Sequence, residues 1–226
     1  MGKTATRQAY GEALAELIVK DERVYAMTAD LAGSVKTDLA MKVCPQRHVE
    51  CGIAEGNMIS MAAGLAACGK IPFASTFAIF EAGRAYEQIR NSIAYPHLNV
   101  KLCATHAGIS VGEDGASHQS ISDLALMREL PNMTVIQPCD GVETKAVINW
   151  AYEHEGPVYV RLSRASVEDV HGEGYHFDPC KAEVLADGKD TVLIATGLEV
   201  QESLKAKELL KEKGIDAAVV NVPVIK

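Results

Sequence analysis

The sequence predicts an α/β protein: a parallel-sheet domain followed by a smaller, incomplete α/β unit. Two patterns and one bulk property carry that expectation. Short apolar runs alternate with segments of helical period from residue 4 to residue 162, as in strands joined by crossover helices. The alternation dissolves between 164 and 179 into a stretch rich in Gly, His and Asp, then resumes. Across 226 residues, 48% are apolar and 23% charged, enough core for one or two soluble domains. The expected division is 1–165, a linker at 166–180, and a second unit at 181–226.

Residues 4–20 read as an amphipathic helix, with Tyr10, Ala13, Leu14, Leu17 and Ile18 at helical spacing and Thr4 or Thr6 able to cap it. A β-run at 24–29 ends in the Gly- and Ser-containing loop 30–34. A second strand, 48–51, leads to Glu55 and a helix of small residues that Gly69 closes. A strand at 71–76 precedes one long helix, from the Phe77–Phe80 pair to about Tyr95, where Pro96 stops it. Next come a strand at 100–105 and a loop at 106–120, long enough to suggest a functional role. A helix at 122–129, a strand at 134–137, a helix at 141–153 and a strand at 158–162 complete the first domain. The second unit reads as strands at 181–186 and 191–195, a helix at 199–213 ended by Gly214, and a strand at 217–222. Three strands and one helix are small for an independent domain.

Several classes are excluded at this level. A net charge of −8 without a Lys/Arg run argues against nucleic acid and anionic membrane as partners. No apolar run approaches the roughly 18 residues of a membrane span, and no signal-peptide core is visible. The six cysteines contain no C-x-x-C pair and lie mostly in apolar segments, as reduced thiols do. A cytoplasmic location is expected.

The centre of the chain is C-G-I-A-E-G-N-M at 51–58. Glu55 is the only acid between Glu50 and Glu81. A carboxylate in the first turn of a helix is stabilised by the free N–H groups there, which alone would explain it. The other reading is a carboxyl in a dry cleft that shares a proton with a heterocycle. G-I-A-E-G-N-M resembles the G-[IV]-x-E-x-x-M segment of the transketolase family. The resemblance implies that Glu55 bonds N1′ of the aminopyrimidine ring of thiamine diphosphate, helping its 4′-amino group to take the C2 proton.

Further residues follow the same resemblance. Phe77 and Phe80 in T-F-A-I-F-E-A-G-R match the aromatic wall of the aminopyrimidine site, although aromatics three apart also suit plain core packing. The family's third aromatic is replaced by Gly83, which implies a wider pocket on that side. His106 and His118 bracket H-A-G-I-S-V-G-E-D-G-A-S-H-Q, where spacing alone fits surface histidines and poorly fits a metal site. G-E-D-G-x-[ST]-H-Q resembles the family's substrate-channel loop, so Asp114, His106 and His118 are expected to bond the sugar hydroxyls, the histidines assisting proton transfer. Ala107-Gly108 departs from the Asp-Ser common in transketolases, which leaves the acceptor open. Arg7, Ser34 and Arg164 match the family's phosphate contacts, and guanidinium forks suit a phosphate. Asp30 matches a position beside the cofactor pocket; a turn residue would look the same.

The G-D-G…N motif that holds the diphosphate through Mg²⁺ is missing, so no metal ligand is assigned to this chain. The resemblance, which spans roughly residues 3–226, is therefore to the C-terminal half of a transketolase split into two polypeptides. It implies a subunit that transfers a two-carbon ketol unit between sugar phosphates only with an N-terminal transketolase subunit. That partner would supply the Mg²⁺ and diphosphate ligands in a dimer of heterodimers. The alternatives are a 1-deoxyxylulose-5-phosphate synthase-like enzyme, the beta subunit of a 2-oxoacid dehydrogenase, and a non-catalytic regulatory subunit.

Overall fold

A computed structural model describes residues 2–172 and 174–226; Met1 and Glu173, the latter inside the expected linker, lie outside the described residues. In chain order its elements begin with β1 (Lys3–Ala5), α1 (Thr6–Lys20), β2 (Val24–Thr28), α2 (Ala32–Val35), α3 (Asp38–Val43) and β3 (His48–Glu50). Then come α4 (Glu55–Ala67), β4 (Ile71–Ser75), α5 (Ala78–Arg84), α6 (Tyr86–Gln88), β5 (Lys101–Ala104), α7 (Asp123–Glu129) and β6 (Thr134–Ile136). The chain continues through α8 (Gly141–Glu153), β7 (Val158–Arg161), β8 (Ser166–Glu168), β9 (Glu183–Ala186), β10 (Thr191–Ala195), α9 (Glu199–Glu212) and β11 (Ala217–Asn221).

Six strands form one parallel sheet in the order β3-β2-β4-β5-β7-β6. Side chains alternate across it, so each strand feeds two cores. Val24, Ala26, Phe73, Cys103, Ile136, Val158 and Val160 pack beneath α1 and α8. Met27, Ala74, Leu102, Ala104, Val135 and Tyr159 pack against α4 and α7 on the other face. Burial on both faces explains why these strands read as continuous apolar runs.

The second unit pairs β10 with β11 in parallel, through α9, and β11 with β9 antiparallel. Several contacts tie it and the 166–180 segment to the first. β1 pairs antiparallel with β8, inside the 166–180 segment. Phe177, from the same segment, is buried against Trp150. Finally, Gln137 N donates to Pro223 O at 2.8 Å and Val135 N to Lys226 O at 2.9 Å, which covers the free edge of β6.

Local differences from the sequence reading have identifiable causes. Residues 3–5 are extended because β8 offers a pairing edge, and α1 starts at Thr6. Neither threonine caps it: Thr6 Oγ1 accepts Ser163 N at 2.8 Å instead. The 30–34 loop folds into the short α2, and α3 follows where no helix was expected. The expected single helix over 77–95 breaks at Ala85, and residues 89–94 form a wide turn of π type. That turn keeps Ile89 and Ile93 in the core while Arg84 stays at the surface. Gly69, with φ of +80°, closes α4 as expected.

Candidate active site

The candidate residues leave the carboxyl ends of the parallel strands, where α/β sheets bind ligands. Glu55 follows β3, Asp30 and Ser34 follow β2, Phe77 and Phe80 follow β4, His106 follows β5 and Arg164 follows β7. Because the sheet order runs β3-β2-β4-β5-β7, residues distant in sequence are neighbours along one edge.

Glu55 is the first residue of α4 and is 5% exposed. The turn that delivers it is held by Glu50, whose Oε1 accepts Asp30 N at 2.7 Å and Gly52 N at 2.9 Å. Asp30 and Gly52 both have positive φ, and those two bonds hold them there. Glu55 Oε1 accepts Arg84 NH1 at 2.8 Å, and the Arg84 guanidinium lies 4.1 Å from the centroid of Phe80. Ala29, Asp30, Leu31, Ile53, Glu55, Phe80 and Arg84 enclose a cleft of about 220 Å³. A larger cleft of about 480 Å³, between 168–170 and α9, holds none of the candidate residues. Size does not select the site here; the smaller cleft has the buried Glu55 carboxylate converging with the Phe80 ring.

The aromatic groups form one stack. Phe77 lies parallel to Phe80 at 5.7 Å and 12°, and His106 stacks on Phe77 at 3.8 Å. His118 meets Phe80 edge-on at 5.2 Å and Phe77 at 6.0 Å. Thr105 Oγ1 and His106 Nδ1 share a 2.9 Å hydrogen bond, as do Ser117 Oγ and His118 Nδ1. Burial, followed by the charges of Arg7, Arg164 and His118, holds the His106 imidazole down to about 3. It is therefore a neutral hydrogen-bonding group at ordinary pH.

The cationic end forms around α1. Arg7 NH1 donates to the Ser34 carbonyl at 2.7 Å, so these two are brought together through the Ser34 backbone. Burial and the nearby Arg164 lower the Arg7 proton affinity. Arg164 NH2 donates to Glu113 Oε1 at 2.6 Å. Asp114 is exposed and makes no side-chain hydrogen bond or ion pair among the described residues. The loop that carries it is closed at its base by Gly108–Ser120 pairing and by Arg161, which binds Ser120 O and Asp123.

Sequence reasoning assigned no role to Glu50, Arg84 or Glu113. Glu113 lies within the quoted loop motif and Arg84 within the aromatic one, so adjacency was the available signal. Glu50 left none, because its partners are backbone amides. Among the described residues, Cys139, Asp140 and His171 are close enough to hold a metal ion. Asp140 already accepts the N–H groups of Glu143, Val170 and His171, and both His171 nitrogens meet carboxylates. That cluster fits an internal hydrogen-bond network, and its coordinating atoms are spent there.

Residues 2–169 match the family model "Transketolase, pyrimidine binding domain", and residues 180–226 match "Transketolase, C-terminal domain". A Methanocaldococcus jannaschii chain named as a transketolase C-terminal section is 53% identical over 97% of this chain and 70% of its own length. A 6-deoxy-6-sulfo-D-fructose transketolase subunit of a Clostridium species is 40% identical over 97% of this chain and 68% of its own. Among solved structures, a split-gene transketolase in an inactive β4 tetramer superposes with a TM-score of 0.88 at 51% identity. That match covers 97% of this chain and 72% of the other.

Proposed function

The chain belongs to the transketolase family, and on that premise we propose that it supplies the aminopyrimidine-holding half of a two-chain enzyme. The enzyme moves a two-carbon ketol unit between sugar phosphates with thiamine diphosphate. A transketolase subunit is what its relatives are, and neither a 2-oxoacid dehydrogenase subunit nor a synthase is favoured by them. The observation that carries the finer reading is the continuous series Glu55, Phe80, Phe77, His106 along one sheet edge.

The residues present fit the aminopyrimidine end of the cofactor: a buried carboxylate beside stacked rings suits a planar heterocycle with ring nitrogens. When bound, thiamine diphosphate supplies the carbon nucleophile and electron sink of ketol transfer. Glu55 exchanges a proton at N1′, and Phe77 and Phe80 exclude water from it, with Asp30 beside them. His106, neutral, and His118 hold the sugar hydroxyls and pass protons there, and Asp114 reaches the sugar from its exposed loop. Arg7, Ser34 and Arg164 hold the phosphate. Mg²⁺ and diphosphate ligands come from an N-terminal transketolase subunit, in a dimer of heterodimers. The division at 1–165, 166–180 and 181–226, a cytoplasmic location and a role in the pentose phosphate pathway belong to the same proposal. Among the described residues no helix is long and apolar enough to cross a membrane.

The test is co-expression with the N-terminal section from the same genome. The complex is assayed for ketol transfer from xylulose 5-phosphate to ribose 5-phosphate with and without thiamine diphosphate and Mg²⁺. Dependence on both, lost in Glu55→Ala, is expected. Cofactor-dependent 2-oxoacid decarboxylation instead would move the chain to the dehydrogenase class. Full activity of the Glu55→Ala complex would make it a regulatory subunit.

A further inference from the structure

Arg84 ends α5 at the mouth of the cleft and is half exposed, whereas its partner Glu55 is buried. Its NH1 holds Glu55 Oε1 at 2.8 Å, and its guanidinium carbon lies 4.1 Å from the Phe80 centroid. Arg84 is the side-chain hydrogen-bond partner that Glu55 has among the described residues. Ala54, before it, provides no side-chain cap. A glutamate at the start of a helix turns about three side-chain torsions, so something must choose the direction of its carboxylate. Here Arg84 does so.

Two features make this contact more than an exposed ion pair, which by itself contributes little. The carboxylate partner is buried, and the guanidinium carbon lies over the Phe80 ring, a packed position that leaves less freedom to lose in holding the fork in place. The stack continues from Arg84 through Phe80 and Phe77 to His106. With Oε1 occupied, Oε2 is the oxygen left to meet a ring nitrogen in the cleft.

We propose that Arg84 is the positioning residue for proton exchange at Glu55: it fixes Oε1, stacks on Phe80, and so presents Oε2 to the heterocycle. This rests on the reading of Glu55 as the carboxyl that meets the aminopyrimidine. Arg84 acts through Glu55 and has no proton-transfer role of its own.

The experiment uses the two-chain complex with Mg²⁺ and thiamine diphosphate, and compares the parent with Arg84→Ala, Arg84→Lys and Glu55→Gln. Deuterium exchange at the thiazolium C2 position is followed by NMR, and cofactor affinity by titration calorimetry. Arg84→Ala is expected to slow exchange about tenfold or more, as misplacement of a reacting group does, while affinity changes by less than about threefold. Arg84→Lys, which restores the charge without the planar fork, is expected to recover only part of the rate. If Arg84→Ala does not assemble, Arg84→Lys against the parent carries the comparison. Exchange at the parent rate in Arg84→Ala overturns the proposal, as does an equal loss of affinity and rate, which would make Arg84 a wall of the pocket. Glu55→Gln separates the two readings: undiminished exchange in that variant sinks the assignment of Glu55 itself.

Discussion

His106 sits under Phe77 with its Nδ1 on Thr105, and burial with three neighbouring cationic or titrating groups keeps it neutral far below pH 6. If His106 bonds the sugar as proposed, an His106→Asn complex should lose about 10- to 100-fold in kcat/KM, the cost of one lost hydrogen bond. The acid limb of its pH–rate profile should not move; disappearance of a limb near pH 6–7 would show that His106 titrates in the working range. Glu81 is a contrasting residue. It is fully buried, neither carboxyl oxygen has a partner among the described residues, and burial raises its proton affinity well above the usual 4.5. Such a group favours the folded state only while protonated, so stability present below 4.5 is lost as pH rises. Glu81→Met should therefore stabilise the protein by about 1–3 kcal/mol at pH 8 and by less at pH 5. Urea unfolding at both values checks this, and an equal effect at the two would count against it. Neither environment is written beside the residue: spacing alone at His106 fits a surface histidine, and nothing next to Glu81 marks it as buried.

At the scale of elements, the 106–120 loop depends on the pair beneath it. Asp123, at the start of α7, accepts from Arg161 Nε at 2.7 Å and from the Tyr159 hydroxyl at 2.9 Å. Arg161 in turn holds Ser120 O at 3.3 Å, where the loop returns to Gly108. Removing one partner of a buried pair leaves the other charged and unpaired. Asp123→Ala should cost about 3–5 kcal/mol, and limited proteolysis should cut within 106–120 before the sheet unfolds. Cleavage only after global unfolding would mean the loop is held by something else. The loop itself was legible from its length, as was the parallel sheet from the alternation of apolar runs. The break of the 77–95 helix was not: Gly83, two residues before Ala85, is the one local signal, and an isolated Gly inside a helical pattern is tolerated. The break is imposed by the need to bury Ile89 and Ile93 while Phe80 and Arg84 face the cleft.

The two units of the molecule meet at His171. Its Nδ1 lies 2.9 Å from Asp140, the N-cap of α8, and its Nε2 lies 2.8 Å from Glu183 of β9. Glu143 adds bonds from Tyr175 and from Asn221 of β11. Burial alone would favour neutral imidazole, but the hydrogen bond and charge of Asp140, with Glu183, outweigh it and raise His171 to about 9. Asp140 is shifted the other way: burial opposes its charge, and bonds from His171 and the Glu143 amide win. The signs follow. The His171 contribution is complete below 6.5 and is lost as pH rises through about 9, while that of Asp140 is present above 3.8 and lost on acidification. Amide exchange in β9 and β11 should therefore accelerate between pH 7 and 9.5 relative to β4, after correction for intrinsic rates. His171→Gln should be fast throughout; parallel behaviour of parent and variant would remove His171 from the latch.

Sequence by itself determined the fold class, because the alternation of apolar runs and helical segments is a local periodicity, and it singled out Glu55 as the candidate carboxyl through a contiguous motif. The aromatic pair and the histidine loop stand out as candidates for the same reason, each lying in a contiguous motif. Tertiary structure decided what those residues touch. Arg84 on Glu55, Glu50 under the turn, Glu113 on Arg164 and His171 between two acids all join positions that are neighbours only once the chain has folded. Burial then decided the charge of His106 and Glu81, since the cost of desolvating an ion depends on everything packed around it and on nothing written beside it in the chain.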